Sequence, residues 1–253
     1  MSLDIPLIKT GCCGFRMSQS EYTAHFPVVE VQQTFYQPPK VETLRRWREQ
    51  APADFEFTLK AWMLITHEAR SPVYRRLKRE LTETEREGCG GFRASKIVRE
   101  AWRTTLDCIE ALEAERVLFQ CPASFKPTEP NIRRMRRFFE AIKRPSKLQL
   151  LWEPRGDWPR ETISTLCREL GLTHVVDPFT SRTVTPEACY FRLHGRQGFR
   201  YVYEDDELEE LYEMLPHAQT SYVLFNNVRM REDAARFQEL VERMNREGQR
   251  GSG

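Results

Sequence analysis

Short apolar runs recur along the chain, and each ends abruptly in residues with ionisable or amide side chains. The pattern predicts buried strands whose polar residues emerge at one end. The clearest case is Leu148-Gln-Leu-Leu-Trp-Glu-Pro-Arg155. Pro154 cannot continue a central ladder, so this strand ends where Glu153 and Arg155 begin. Seven further strands are predicted at residues 6–12, 28–33, 55–60, 116–121, 173–177, 189–194 and 222–227. Between them the period changes to that of amphipathic helices, over residues 41–50, 96–114, 131–142, 160–170, 206–215 and 232–244. In the third of these, Ile132, Met135, Phe138, Phe139 and Ile142 share one face, leaving Arg133, Arg134, Arg136 and Arg137 outward. Gly171 is placed to cap the fourth.

Eight strands separated mostly by helices predict an α/β fold, a TIM-like (β/α)8 barrel, as one domain over residues 1–247. The link between the sixth and seventh strands is too short for a full helix, and a doubly wound open sheet is the alternative. Residues 66–95, long, Arg-rich and containing Gly88-Cys-Gly-Gly91, read as a lid inserted after the third strand. Residues 248–253 read as a disordered tail.

Composition narrows the partners. No apolar stretch approaches the ~20 residues needed to span a bilayer, and no signal-peptide pattern is present, so a cytoplasmic protein without membrane contact is expected. Net charge is only +2, which gives no global drive toward nucleic acid, yet 31 of the 39 basic residues are Arg. Arg suits bidentate binding of carboxylate or phosphate, although a charge-rich surface accounts for the excess equally well. Seven cysteines, scattered rather than in C-x-x-C pairs, argue against a disulfide framework. Nothing in the sequence fixes the oligomeric state.

In a barrel the C-terminal strand ends meet at one mouth. That would gather Glu30, Lys60, Gln120, Glu153, Arg155, Asp177, Arg192, His194, Asn226 and Asn227. Glu153 is then a general base or metal ligand and Arg155 an anion clamp, unless the two are only a structural ion pair. Glu30, Asp177 and His194 complete a candidate catalytic set that could also hold a divalent metal, though no H-x-H or H-E-x-x-H spacing supports one. Lys60, Arg155 and Arg192 favour an anionic ligand, most simply phosphate, with Gly195 and Gly198 allowing close backbone approach. Gln120, Asn226 and Asn227 would read polar edges, and His67 would contact ligand or order the lid, whereas His25, His174 and His217 read as ordinary. Cys12, Cys13, Cys89 and Cys121 could carry zinc or an iron–sulfur cluster, against the plainer reading of buried small hydrophobes.

The motifs Thr10-Gly-Cys-Cys-Gly-Phe15, Val29-Glu-Val-Gln-Gln-Thr-Phe-Tyr36, Phe55-Glu-Phe-Thr-Leu-Lys60, Ile65-Thr-His67, Leu118-Phe-Gln-Cys-Pro122, Glu153-Pro-Arg155 with Trp158, Phe191-Arg-Leu-His-Gly195 and Phe225-Asn-Asn227 resemble the YecE-like family, domain of unknown function 72. The resemblance touches nearly every strand. It implies a TIM barrel and supplies no reaction. Cys12, Cys13 and the Cys89 loop depart from the commoner pattern and look closest to an archaeal branch. Three functions follow: a hydrolase-like enzyme, metal-assisted or acid/base, acting on a phosphate-bearing metabolite or nucleic-acid fragment; a nucleic-acid-binding module using the Arg-rich lid and helix; or a cysteine-based metal or redox protein.

Overall fold

The computed structural model describes residues 7–216 and 220–250. Pro6, His217 and the last three residues of the expected tail lie outside them. Eight strands are present: β1 Ile8–Cys12, β2 Val28–Val31, β3 Glu56–Lys60, β4 Arg116–Gln120, β5 Gln149–Glu153, β6 Leu172–His174, β7 Cys189–Leu193 and β8 Ser221–Phe225. They form one parallel sheet in the order β6-β5-β4-β3-β2-β1-β8-β7. This is the consecutive order of a (β/α)8 barrel, not that of a doubly wound sheet. The two ends of that order are joined just beyond β6, where Val176 bridges Phe191 and the Arg192 N–H donates to the Val176 carbonyl at 2.9 Å. No helix lies between β6 and β7, as their short link requires.

By compactness the chain divides into two units, Met1–Glu30 with Val175–Gly253, and Val31–His174. In the first, β8 pairs with β1 and β7, bringing Phe225 opposite both Cys12 and Leu193. Its helices are α1 Gln19–His25, α8 Asp205–Glu213 and α9 Met230–Arg250. The sequence reading missed α1, although its start is written in Ser18-x-x-Glu21. Ser18 and Glu21 exchange side-chain and backbone hydrogen bonds in a capping box, satisfying two orphan N–H groups.

The second unit holds α2 Gln33–Tyr36, α3 Val41–Gln50, α4 Glu83–Gly88, α5 Lys96–Leu112, α6 Glu129–Ala141 and α7 Arg160–Leu170. Gly171 caps α7 in the left-handed conformation, as predicted. β2 stops at Val31 instead of Gln33, because α2 begins there. None of the described helices is long and apolar enough to cross a membrane.

The expected lid is less of a loop than its composition implies. It contains a 3₁₀ turn at Pro72–Arg76 and α4, whose Thr82-x-x-Glu85 capping box sets its start. Its far end is core. The N–H groups of Gly90, Gly91 and Phe92 donate to the carbonyls of Leu64, Thr66 and Ile65. Gly90 has φ +74°, and a Cβ there would stand 2.3 Å from the His67 carbonyl carbon, so only glycine fits. Phe92 is left-handed at φ 54° and 1% exposed, with its ring among Phe119, Phe125, Phe138 and Phe139. The backbone strain costs roughly 1–3 kcal/mol. Burying the ring returns ~2–3 kcal/mol, and each ring–ring pair adds about 0.5–1.5 kcal/mol. Packing therefore holds the segment down.

Candidate functional site

In the second unit the ends of β3, β4 and β5 carry Lys60, Gln120 and Glu153. Gln120 lies opposite Glu153 in the β4–β5 register, and its Oε1 accepts from Lys60 Nζ at 2.7 Å. Lys60 and Glu153 are both 4% exposed. The ammonium lies 3.9 Å from the centre of the Phe35 ring, which stabilises a desolvated cation. α2 places that ring, and Thr34 beside it donates to the Lys60 carbonyl at 2.8 Å. Arg155 Nη2 pairs with Glu153 Oε1, and the Arg155 side chain remains 37% exposed. The carboxylate is inside and its cover is half outside.

Two imidazoles belong to this unit. His67 lies edge-on to Phe35 at 5.1 Å, and its Nδ1 is 2.8 Å from Thr66 Oγ1. Burial, reinforced by Lys60, pushes its pKa down to about 4. His174, opposite Trp152 in β5, is pushed down to about 4 by burial and by Arg160, with Glu153 opposing. Both rings are neutral at neutral pH. The strand-end cluster then has two cations, Lys60 and Arg155, against one carboxylate, Glu153, and its balance favours an anion.

The first unit assembles the other candidates differently. Glu30 and Arg192 are 0% exposed, with Arg192 Nη2 on Glu30 Oε1 at 2.9 Å. Tyr190 donates to Glu30 Oε2 at 2.9 Å, so both carboxylate oxygens are engaged. Arg192 Nη2 also stands 3.6 Å from Cys13 Sγ, and Nη1 reaches His194 Nε2 at 3.3 Å. Arg192 can only donate, so His194 Nε2 accepts and the ring proton sits on Nδ1, on the side of Asp177 Oδ2 at 3.8 Å. Asp177 is itself held, its oxygens accepting from the backbone N–H groups of His194 (2.8 Å) and Phe179 (3.2 Å). Of the two amides after β8, Asn227 is fully buried and donates to the Tyr201 carbonyl and to Asp233, so it braces backbone instead of facing outward. Asn226 is half-buried, and its side chain makes no hydrogen bond among the described residues.

The family model described as "Protein of unknown function DUF72" matches residues 16–252. The chain belongs to the DUF72 family. It is 24% identical over 238 residues to the UPF0759 protein YunF of Bacillus subtilis, covering 81% of this chain and 79% of that one. The UPF0759 protein YecE of Escherichia coli K12 is 46% identical over 52 residues, 21% of this chain, and the match spans only 19% of YecE. Among solved structures, DUF72 proteins of Enterococcus faecalis (TM-score 0.71, 20% identity, 93% of this chain and 96% of that one) and Thermotoga maritima (0.66, 23%, 93% and 99%) share the fold. A structure titled SacUVDE shares it at TM-score 0.62 and 6% identity, covering 95% of this chain and 99% of that one.

Among the described residues no three His, Cys, Asp or Glu side chains are grouped so as to hold a metal ion. For Glu30, Glu153, Asp177 and His194 the reason is prior engagement, since each carboxylate already serves Arg192, Arg155 or backbone N–H groups. Cys12, Cys13, Cys89 and Cys121 are all free and buried. Burial pushes the Cys12 and Cys121 thiols up to about 12, keeping them protonated and poor as ligands. Cys89, expected on a loop over the mouth, is 1% exposed. Arg192 and Glu30 likewise present no surface to a ligand. What the sequence reading missed is Phe35 as the seat of Lys60; the aromatic pair following the second strand was its only signal.

Proposed function

We propose that this DUF72 protein is a hydrolase-like enzyme that binds a phosphate-bearing or nucleic-acid-derived substrate at the Lys60–Gln120–Glu153–Arg155 cluster. The observation that carries the reading is a buried carboxylate covered by a half-exposed guanidinium beside a buried ammonium. A protein that needed Glu153 only for stability has no use for a removable cover. An incoming phosphate would draw Arg155 into a bidentate contact and leave Glu153 oxygens to accept a proton from water. That water oxygen would bond to phosphorus as the P–O ester bond breaks, the leaving alkoxide taking the proton that Glu153 accepted from water, with Lys60 and Arg155 stabilising the charge that develops on the phosphoryl oxygens. Seven cysteines, all free, support placement in a reducing compartment such as the cytoplasm. The Arg-rich α6 supports a separate nucleic-acid module less well, because Arg136 is bound to Glu169 and Arg134 to Asn131.

The test is thermal unfolding with and without inorganic phosphate and nucleoside monophosphates, together with release of nitrophenol from nitrophenyl phosphates. Phosphate compounds at about a hundredfold over their Kd should stabilise the parent by ~2.7 kcal/mol. Arg155→Ala should abolish that response. A parent protein indifferent to every phosphate compound, and unable to cleave any ester, would sink the proposal.

A further inference from the structure

Among the described residues four large apolar side chains stand exposed, and two of them are on neighbouring loops: Phe199 at 50% and Val228 at 49%. They belong to the loops that follow β7 and β8, and the Val228 N–H donates to the Phe199 carbonyl at 2.6 Å. Each is followed in sequence by an arginine, Arg200 and Arg229, which are exposed and form no ion pair among the described residues.

The loop carrying Phe199 is braced. Gly195 has φ +87°, and a Cβ there would meet the Gly198 carbonyl oxygen and the Tyr201 Cβ at 2.4 Å, so glycine makes the turn possible. The Gly195 N–H donates to Tyr203 Oη at 2.8 Å, Gly198 to the Gly195 carbonyl at 3.0 Å, and Tyr201 to the Gly198 carbonyl at 2.9 Å. Asn227, fixed by Asp233, holds the Tyr201 carbonyl from below at 2.8 Å. Of the aromatic rings in this loop, Tyr203 is buried while Phe199 stays half exposed. This loop spends at least five hydrogen bonds, counting those just named, to hold the ring in water.

From the exposed ring on a hydrogen-bonded loop, and the exposed arginine that follows each of Phe199 and Val228 in sequence, we infer that Phe199 is a stacking platform for a base of single-stranded nucleic acid, with Arg200 and Arg229 on neighbouring phosphates. An aromatic face accepts any base, and cations beside it recognise the backbone. A wholly apolar partner would leave both guanidinium groups to be desolvated without counter-charge, whereas a nucleic-acid strand offers a flat apolar face and anionic groups together. The inference does not need Glu153 or Lys60, so the two sites fail or stand separately.

The experiment is fluorescence anisotropy with an end-labelled oligothymidine decamer, using the full chain at low salt. Phe199→Ala should weaken binding about five- to a hundredfold, Phe199→Trp should retain it, and Phe199→Leu should behave like the alanine variant. Arg200→Ala and Arg229→Ala should each reduce the slope of log K against log salt by about one. The half-exposed position keeps these variants folded, and the phosphate-dependent stabilisation expected above should persist in Phe199→Ala. The inference is overturned if the parent does not bind the decamer, if Phe199→Ala or Phe199→Leu binds as the parent does, or if thymidine monophosphate binds as tightly as the decamer. It is also overturned if sedimentation shows that Phe199→Ala only dissociates a dimer while oligonucleotide binding is unchanged.

Discussion

Glu30–Arg192 and Glu153–Arg155 are the same chemical pair in two settings. The first is sealed, with both side chains 0% exposed and Tyr190 closing the second carboxylate oxygen. The second has a carboxylate that is 5% exposed under a guanidinium that is 37% exposed. A sealed pair can only hold structure, since any ligand would have to displace a partner that has nowhere to go. A half-sealed pair can exchange partners, because water already solvates the leaving guanidinium. Burial of the carboxylate is common to both; the exposure of its partner separates scaffold from site.

The sharpest way to break this comparison is to remove one charge from each pair, the buried cation of the first and the carboxylate of the second, and compare melting. Arg192→Leu leaves Glu30 buried without its cation and should cost ~3–5 kcal/mol, lowering the melting temperature by about 10 °C. Glu153→Gln should cost about 1 kcal/mol or less, because Arg155 can turn into solvent. Similar losses in calorimetry would erase the distinction between the pairs.

Acidification tests the neutral imidazoles. His67 and His174 titrate near 4 in the fold against an ordinary 6.5, so between those values the unfolded chain binds more protons than the native one. Their contribution is whole above pH 6.5 and is lost as pH falls toward 4, up to roughly 3 kcal/mol for each ring. Melting temperature should therefore decline already from pH 6.5 to 5.5, above the range where most carboxylates protonate. His67→Gln and His174→Gln should each flatten that decline, and an unchanged slope in both would show that the rings ionise freely.

Smaller effects sharpen the picture. Asn227→Ala removes both donations to Tyr201 and Asp233 and should cost ~1–3 kcal/mol, measured by denaturant titration. Arg155→Ala leaves the buried Glu153 carboxylate without its guanidinium and should cost ~1–3 kcal/mol, more than Glu153→Gln.

Most of this architecture was legible from alternation alone. The periods of α3 and α7 matched residue for residue, and every strand lay where an apolar run met a polar end. Short helices were not, because the four residues of α2 or the seven of α1 are too few to show a period. Their caps were readable, as Ser18-x-x-Glu21 demonstrates. The site was legible as a set of residue types at strand ends, and illegible as a set of roles. Nothing in Phe191-Arg-Leu-His-Gly195 says that Arg192 is sealed, since that follows from Glu30 on β2, whose carboxylate Arg192 and Tyr190 of β7 share. The far end of the lid segment was illegible for a related reason: its glycine, cysteine and arginine carry no apolar period, while Phe92, with the N–H groups of Gly90 and Gly91, ties it down.

One bridge, Val176 to Phe191, spans the gap between β6 and β7, and the residues after it run without a helix through the exposed Thr180, Ser181 and Arg182. Elsewhere at least one helix lies between consecutive strands. Chain added at Thr180, Ser181 and Arg182 would start from an exposed surface. Closing a longer loop is entropically cheap, about 0.6 kcal/mol for each doubling of its length. The thinnest seam in the sheet is thus also the place where this fold can accept new sequence, and descendants of the chain could acquire a helix, a domain or a new specificity there without rebuilding either neighbouring strand.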